Sequence, residues 1–263
     1  MYRVSKVLNN NGVIAIDMEE NQEYVILGKG VGFGKKVSQR FDKPEGCTTY
    51  RLEQETERGS AKELVKGIEP EYLEIADAIL TESQKVFGDS IDRGILFPLA
   101  DHISFAVARI RRNEQISNPL TEDIKVLFYS EFKVAETLKT ILRERLQIEI
   151  DDHEVGYVAL HIHSAIGDEK VSVAMQTARA VRECIDMIEK ATGKPIDVLS
   201  LSYNRLMNHM KYMVARASTG EKLNLDMNEY MLDQYPQAYK VATDICKNLE
   251  GCIGHNLDET ETG

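Results

Sequence analysis

The chain is 263 residues long, 43% hydrophobic and 29% charged, with 32 Lys and Arg against 43 Asp and Glu and a formal net charge of −11. That length excludes one small domain and suits two or three with cores of their own. No apolar run nears the roughly 18–20 residues that span a bilayer, and the Met1-Tyr2-Arg3-Val4 start lacks a signal-peptide core, so a cytoplasmic protein without stable membrane insertion is expected.

Charge and cysteine are unevenly placed. Residues 1–40 carry a net +2 and the remainder −13, so a mildly basic front precedes an acidic body. Cys47, Cys184, Cys246 and Cys252 are too scattered to staple a secreted scaffold and form no C-x-x-C pair; reduced, structural thiols are expected.

The front reads as strands. Val4 to Leu8 is followed by the turn signal Asn9-Asn10-Asn11-Gly12 and the apolar run Val13 to Ile16. Tyr24 to Leu27 and Thr48 to Leu52 supply two more strands. A sheet of about fifty residues is marginal alone, so pairing with a second copy is expected.

After the polar, linker-like stretch Glu53 to Ser60 the periodicity becomes helical. Pro70 opens a segment to Phe87 in which Leu73, Ala76, Ile79 and Leu80 share a face, and further helices are expected at Leu96–Arg112, Pro119–Tyr129, Phe132–Leu146 and Asp151–Ala165. A shift of 107 residues then lays Val107-Ala108-Arg109 on Val214-Ala215-Arg216, His102 on His209, and Asp151, Glu154 and Gly156 on Asp258, Glu261 and Gly263. One constant offset implies two copies of one helical module. The expected division is 1–56, a linker at 57–65, a first module at 66–170 and a second at 171–263 that breaks off inside its last helix.

Glycines alternate through Gly28-Lys29-Gly30-Val31-Gly32-Phe33-Gly34-Lys35-Lys36, but neither G-x-G-x-x-G nor a P-loop fits. If extended, the segment puts its glycines on one face, where a base can approach closely, and Lys29, Val31, Phe33 and Lys35 on the other. A glycine-rich hairpin without a ligand is the alternative. Single-stranded RNA asks for this combination: Phe33 to stack a base, lysines for phosphates, and an amide such as Asn10 for base edges. A duplex-DNA reader would more often carry a helix-turn-helix, for which the front has no pattern.

The histidines are 102, 153, 161, 163, 209 and 255. His161 lies one and two turns beyond Tyr157 and Glu154 on one helical face, and His102 recurs as His209. His161-Ile162-His163 does not make a metal site, since residues two apart on a helix diverge and no H-E-x-x-H or cysteine set completes it. No nucleophile elbow or distinguished carboxylate pair suggests an enzyme, and no cofactor is implied. A solvent-reachable imidazole can instead accept phosphate, whose charge can push helices apart or draw in an arginine such as Arg109 or Arg216.

With these motifs together, the chain resembles the BglG/SacY-type transcriptional antiterminators over its whole length. Lys6-Val7-Leu8-Asn9-Asn10-Asn11 and the glycine segment look like the family's co-antiterminator RNA-binding domain; Asp101-His102-Ile103, Ala159-Leu160-His161-Ile162 and Arg205 to His209 look like the histidine motifs of its two phosphotransferase-regulation domains. The resemblance implies a multidomain α and β architecture, a small antiparallel sheet that binds RNA followed by two all-α helical bundles. It implies a homodimer that holds a hairpin in the leader mRNA of a sugar-utilisation operon and so prevents terminator formation. RNA contacts fall on Lys6, Asn10, Gly28, Lys29, Phe33 and Lys35; phosphorylation falls on His102 and His161, by the sugar-specific phosphotransferase transporter component, and on His209, by the phosphocarrier HPr. The alternative is a DNA-binding activator that uses the same regulatory modules. Two departures stand out: Gly12 is expected to lengthen the first turn, and a second histidine of the second module would fall at position 268.

Overall fold

The computed structural model describes residues 1–52, 55–56, 59–114, 116–167, 170–198, 200–223 and 225–262. Its packing forms two units: Met1–Ser117 with Ser130–Lys170, and Asn118–Tyr129 with Val171–Gly263. Compactness therefore departs from the repeat boundary, because residues 118–129 pack with the second module's helices.

The first unit opens with β1 (Tyr2–Asn9), β2 (Gly12–Asp17), β3 (Glu23–Leu27), β4 (Arg40–Phe41) and β5 (Thr48–Arg51), an antiparallel sheet in the order β4-β1-β2-β3-β5. Val13-Ile14-Ala15 and Val25-Ile26-Leu27 are unbroken apolar runs because the sheet is covered on both faces. Val13, Ala15 and Ile26 meet Val4, Val31, Phe41 and Cys47 in one core. On the other side Tyr50 of β5 meets Phe97 edge-on at 6.4 Å, and its hydroxyl bonds Asp77 and accepts from Arg93 at 2.7 Å. The Cys47 thiol is pushed up by burial.

Two expectations for the front need correction. Gly12 pairs with Asn9, so it belongs to β2 and leaves only Asn10 and Asn11 at the hairpin tip. The segment Gly28 to Gly34 is a chain of turns rather than a strand, with Val31 N donating to Gly28 O, Phe33 N to Gly30 O and Lys35 N to Gly32 O. Val31 is consequently buried while Phe33, two residues on, is 74% exposed.

Downstream lie the short hairpin β6 (Glu55–Thr56) and β7 (Gly59–Ser60), with Glu53, Gln54, Glu57 and Arg58 outside the described residues. The expected linker already contains α1 (Ala61–Gly67), which Ser60 caps by accepting from Glu63 N. Then come α2 (Pro70–Phe87), with Pro70 in its first turn, and α3 (Leu96–Arg111). The helices expected at Pro119–Tyr129 and Phe132–Leu146 become three: α4 (Thr121–Leu127), α5 (Tyr129–Ala135) and α6 (Thr137–Leu146), with α7 (Asp152–Gly167) closing the module. Leu73, Ala76, Ile79 and Leu80 of α2 are fully buried, as their spacing requires.

The second unit adds α8 (Val171–Thr192), α9 (Leu201–Thr219), α10 (Asn228–Gln234) and α11 (Pro236–Ile253), followed by a single 3-10 turn at Glu259–Glu261. Ser200 caps α9 by accepting from Tyr203 N. Asp123 of α4 is tied here by Tyr203, whose hydroxyl donates at 2.5 Å. Burial pushes the Asp123 carboxyl up despite that bond and Arg182, and pushes the Cys184 thiol up to about 12.

Candidate RNA interface and histidine sites

The glycine turns are fastened onto the β1–β2 tip. Gly28 N donates to Asn11 O, Gly32 N to Asn10 O, both at 2.9 Å, and Gly30 N to the side-chain Oδ1 of Asn11 at 3.0 Å. A methyl group at Gly32 would lie 2.0 Å from the backbone oxygen of Asn9, which admits only glycine, and Gly30 sits at φ +73°. Asn10, Gly28 and Lys29 are thereby brought onto one tip-and-loop surface from which Phe33 projects. Lys6, Asn10 and Lys29 are exposed; Lys35 is half-buried, its ammonium 4.8 Å from the Phe41 ring centre.

Asn9 and Asn11 carry roles that the sequence did not announce. Asn9 Oδ1 accepts from Asn11 N at 2.8 Å, and both side-chain amides donate to Glu74 of α2, at 2.7 and 3.2 Å. Arg145 lies 3.6 Å from the same carboxylate. Nothing local in the sequence pairs Glu74 with residues more than sixty positions away.

In the helical part, α3 and α7 bring His102 and His161 together with ring centres 5.3 Å apart, and Tyr157 is 5.7 Å from His102. Neither ring is open to solvent: His102 is 7% exposed and His161 4%, because α3 and α7 pack the two against each other. Glu154, in the first turn of α7, accepts from Arg109 Nη2 at 2.8 Å and sets its other oxygen 3.4 Å from His102 Nε2. Burial works against its charge, but His102 and Arg109 beside it hold its carboxyl below the usual range. His163 faces elsewhere and pairs with Glu131 at 2.9 Å.

The second unit repeats the ion pair in register. Arg216 donates twice to Glu261, at 2.5 and 2.7 Å, which is Arg109–Glu154 displaced by 107 residues. Here the histidine is open: His209 is exposed at a cleft of about 680 Å³ whose apolar wall includes Met210, Met213, Val241 and Ile245. No group of three or more His, Cys, Asp or Glu among the described residues is placed to hold a metal ion, and no described helix is long and apolar enough to cross a membrane.

Residues 2–59 match the CAT RNA binding domain family, and residues 77–165 and 182–263 each match the PRD domain family. The chain is similar to the GlcA/glcB genes antiterminator of Staphylococcus carnosus, 29% identical over 99% of this chain and 92% of that protein. It is similar to Protein GlcT of Staphylococcus haemolyticus, 28% identical with the same two coverages. Among solved structures, a crystal structure of GlcT CAT-PRDI matches with a TM-score of 0.55 and 29% identity, covering 63% of this chain and 98% of that one.

Proposed function

Because this chain belongs to the family of antiterminators that join a CAT RNA-binding domain to PRD domains, we propose that it binds a hairpin in the leader of a sugar-utilisation mRNA and keeps transcription going. The observation that carries this reading is the tip-and-loop surface. Exposed Asn10, Lys29 and Phe33 offer an amide, a cation and a bare aromatic ring on a backbone that glycine alone allows to close up. No step of bond-making is asked of the protein itself.

Control comes from phosphate on imidazole. The sugar-specific transporter component acts at His102 and His161 and the phosphocarrier HPr at His209, and the active form is a homodimer. The buried, adjacent His102 and His161 support a switch, since neither takes up a bulky dianion without α7 shifting. A gel-shift titration of the full chain with leader hairpins tests the reading against duplex DNA as competitor. Selective retention of the hairpin is the expected result; preference for the duplex refutes it.

A further inference from the structure

Three buried polar atoms around Glu154 lack hydrogen bonds: His102 Nε2, Arg109 Nε and Glu154 Oε2 itself. Such atoms are rare in a folded interior, and their gathering on three neighbouring residues, with His102 Nε2 and Glu154 Oε2 facing each other 3.4 Å apart without a hydrogen bond, marks a place shaped for something else. Glu154 now bridges an imidazole and a guanidinium, touching Arg109 through one oxygen and facing His102 with the other.

We propose that Glu154 holds the place of a phosphoryl group: phosphate carried on His102 Nε2 expels Glu154 and takes over Arg109. The proposal rests on His102 accepting phosphate. A phosphoryl group does not fit within the 3.4 Å between Nε2 and the carboxylate, so it has to take the place the carboxylate now occupies, and a group carrying about −1.5 to −2 repels the Glu154 charge. Arg109 is suited to the exchange, because its unused Nε and its Nη2 together form a fork that suits phosphate better than the single bond it now makes. Glu154 sits in the first turn of α7, so its expulsion loosens the end of the helix that carries Tyr157 and His161 over His102. Arg216 and Glu261 repeat the pair in the second module, where His209 stands on the same cleft as Glu261.

The test treats the full chain with phosphoramidate as a small-molecule donor. The donor's P–N bond breaks, its nitrogen leaves as ammonia, and the lone pair on Nε2 of the neutral ring forms the new P–N bond while the other ring nitrogen keeps its proton. Wild type, Arg109→Gln, Arg109→Lys and Glu154→Gln are mapped by mass spectrometry, and the phosphohistidine is titrated by phosphorus NMR. With Arg109 at hand, the phosphoryl group of wild type loses its last proton about one pH unit lower than in Arg109→Gln. Arg109→Lys restores part of that shift, and Glu154→Gln takes up phosphate several-fold faster than wild type. Phosphate on His102 with the same titration in wild type and Arg109→Gln overturns the exchange and leaves the modification standing. If His102 stays unmodified in every variant while His209 is labelled, the reading of His102 as an acceptor fails, and the exchange with it. Should Arg109→Gln not fold, equal uptake rates in wild type and Glu154→Gln overturn the placeholder role by themselves.

Discussion

Replacing Phe33 by Ala separates RNA contact from folding more cleanly than any other change on the tip-and-loop surface. The ring is 74% exposed, so its loss opens no cavity, and stability should stay within about 0.5 kcal/mol of wild type. A base stacked on it contributes about 1–3 kcal/mol, which raises Kd about 5- to 150-fold. Phe33→Leu is the companion variant: it keeps apolar bulk but removes the π face, so most of the loss should persist. Titration of a labelled leader hairpin at one fixed salt concentration reads both, with thermal melts of each variant as the folding control. Val31→Ala is the contrast, since Val31 is 1% exposed and in the core of the sheet; it should lower melting and reduce binding only in proportion. An unchanged Kd in Phe33→Ala with an intact melt refutes the stacking role.

Lys29→Ala, at an exposed cation, should weaken binding to matched and mismatched hairpins alike and reduce the slope of log Kd against log salt by about one, measured by titration across salt concentrations. Tyr203→Phe removes the hydroxyl that donates to buried Asp123 and should cost about 1–3 kcal/mol in denaturant unfolding; a neutral outcome contradicts the attachment of α4 to α9. Glu154 is held below its ordinary value of 4.5, so the folded state binds fewer protons there than the unfolded one. Its contribution is therefore complete above pH 4.5 and declines as acid carries the pH down through the lower folded value; Glu154→Gln should flatten unfolding free energy against pH in that window, and an unaltered slope contradicts it.

The strands were legible because continuous apolar runs bounded by turn residues have few other solutions, and Pro70 to Phe87 was legible to the residue because proline opens it and Gly88, at φ +68°, ends it. The glycine segment misled because two demands happen to interleave there. Gly28 and Gly32 are glycine for close approach, to Cys47 and to Asn9; Gly30 and Gly34 are glycine for positive φ. An alternation produced by two causes is indistinguishable, by spacing, from a strand. Of the site residues, Asn10, Lys29 and Phe33 are exposed, though on turns and not on a strand face, while the burial of His102 and the hold of Glu74 on Asn9 and Asn11 depend on helices far along the chain.

The 107-residue offset explains more than the histidines from which it was read. It carries α4 onto α10 at identical bounds, α3 onto α9, and α5 with α6 onto the single continuous α11, so the break at Glu136 is a property of the first copy alone. It also carries the Arg109–Glu154 pair onto Arg216–Glu261. What the two copies share is a histidine two turns before the arginine on the same helix, His102 before Arg109 and His209 before Arg216. The pair recurs together with the histidine in both copies, as a place kept for charge would.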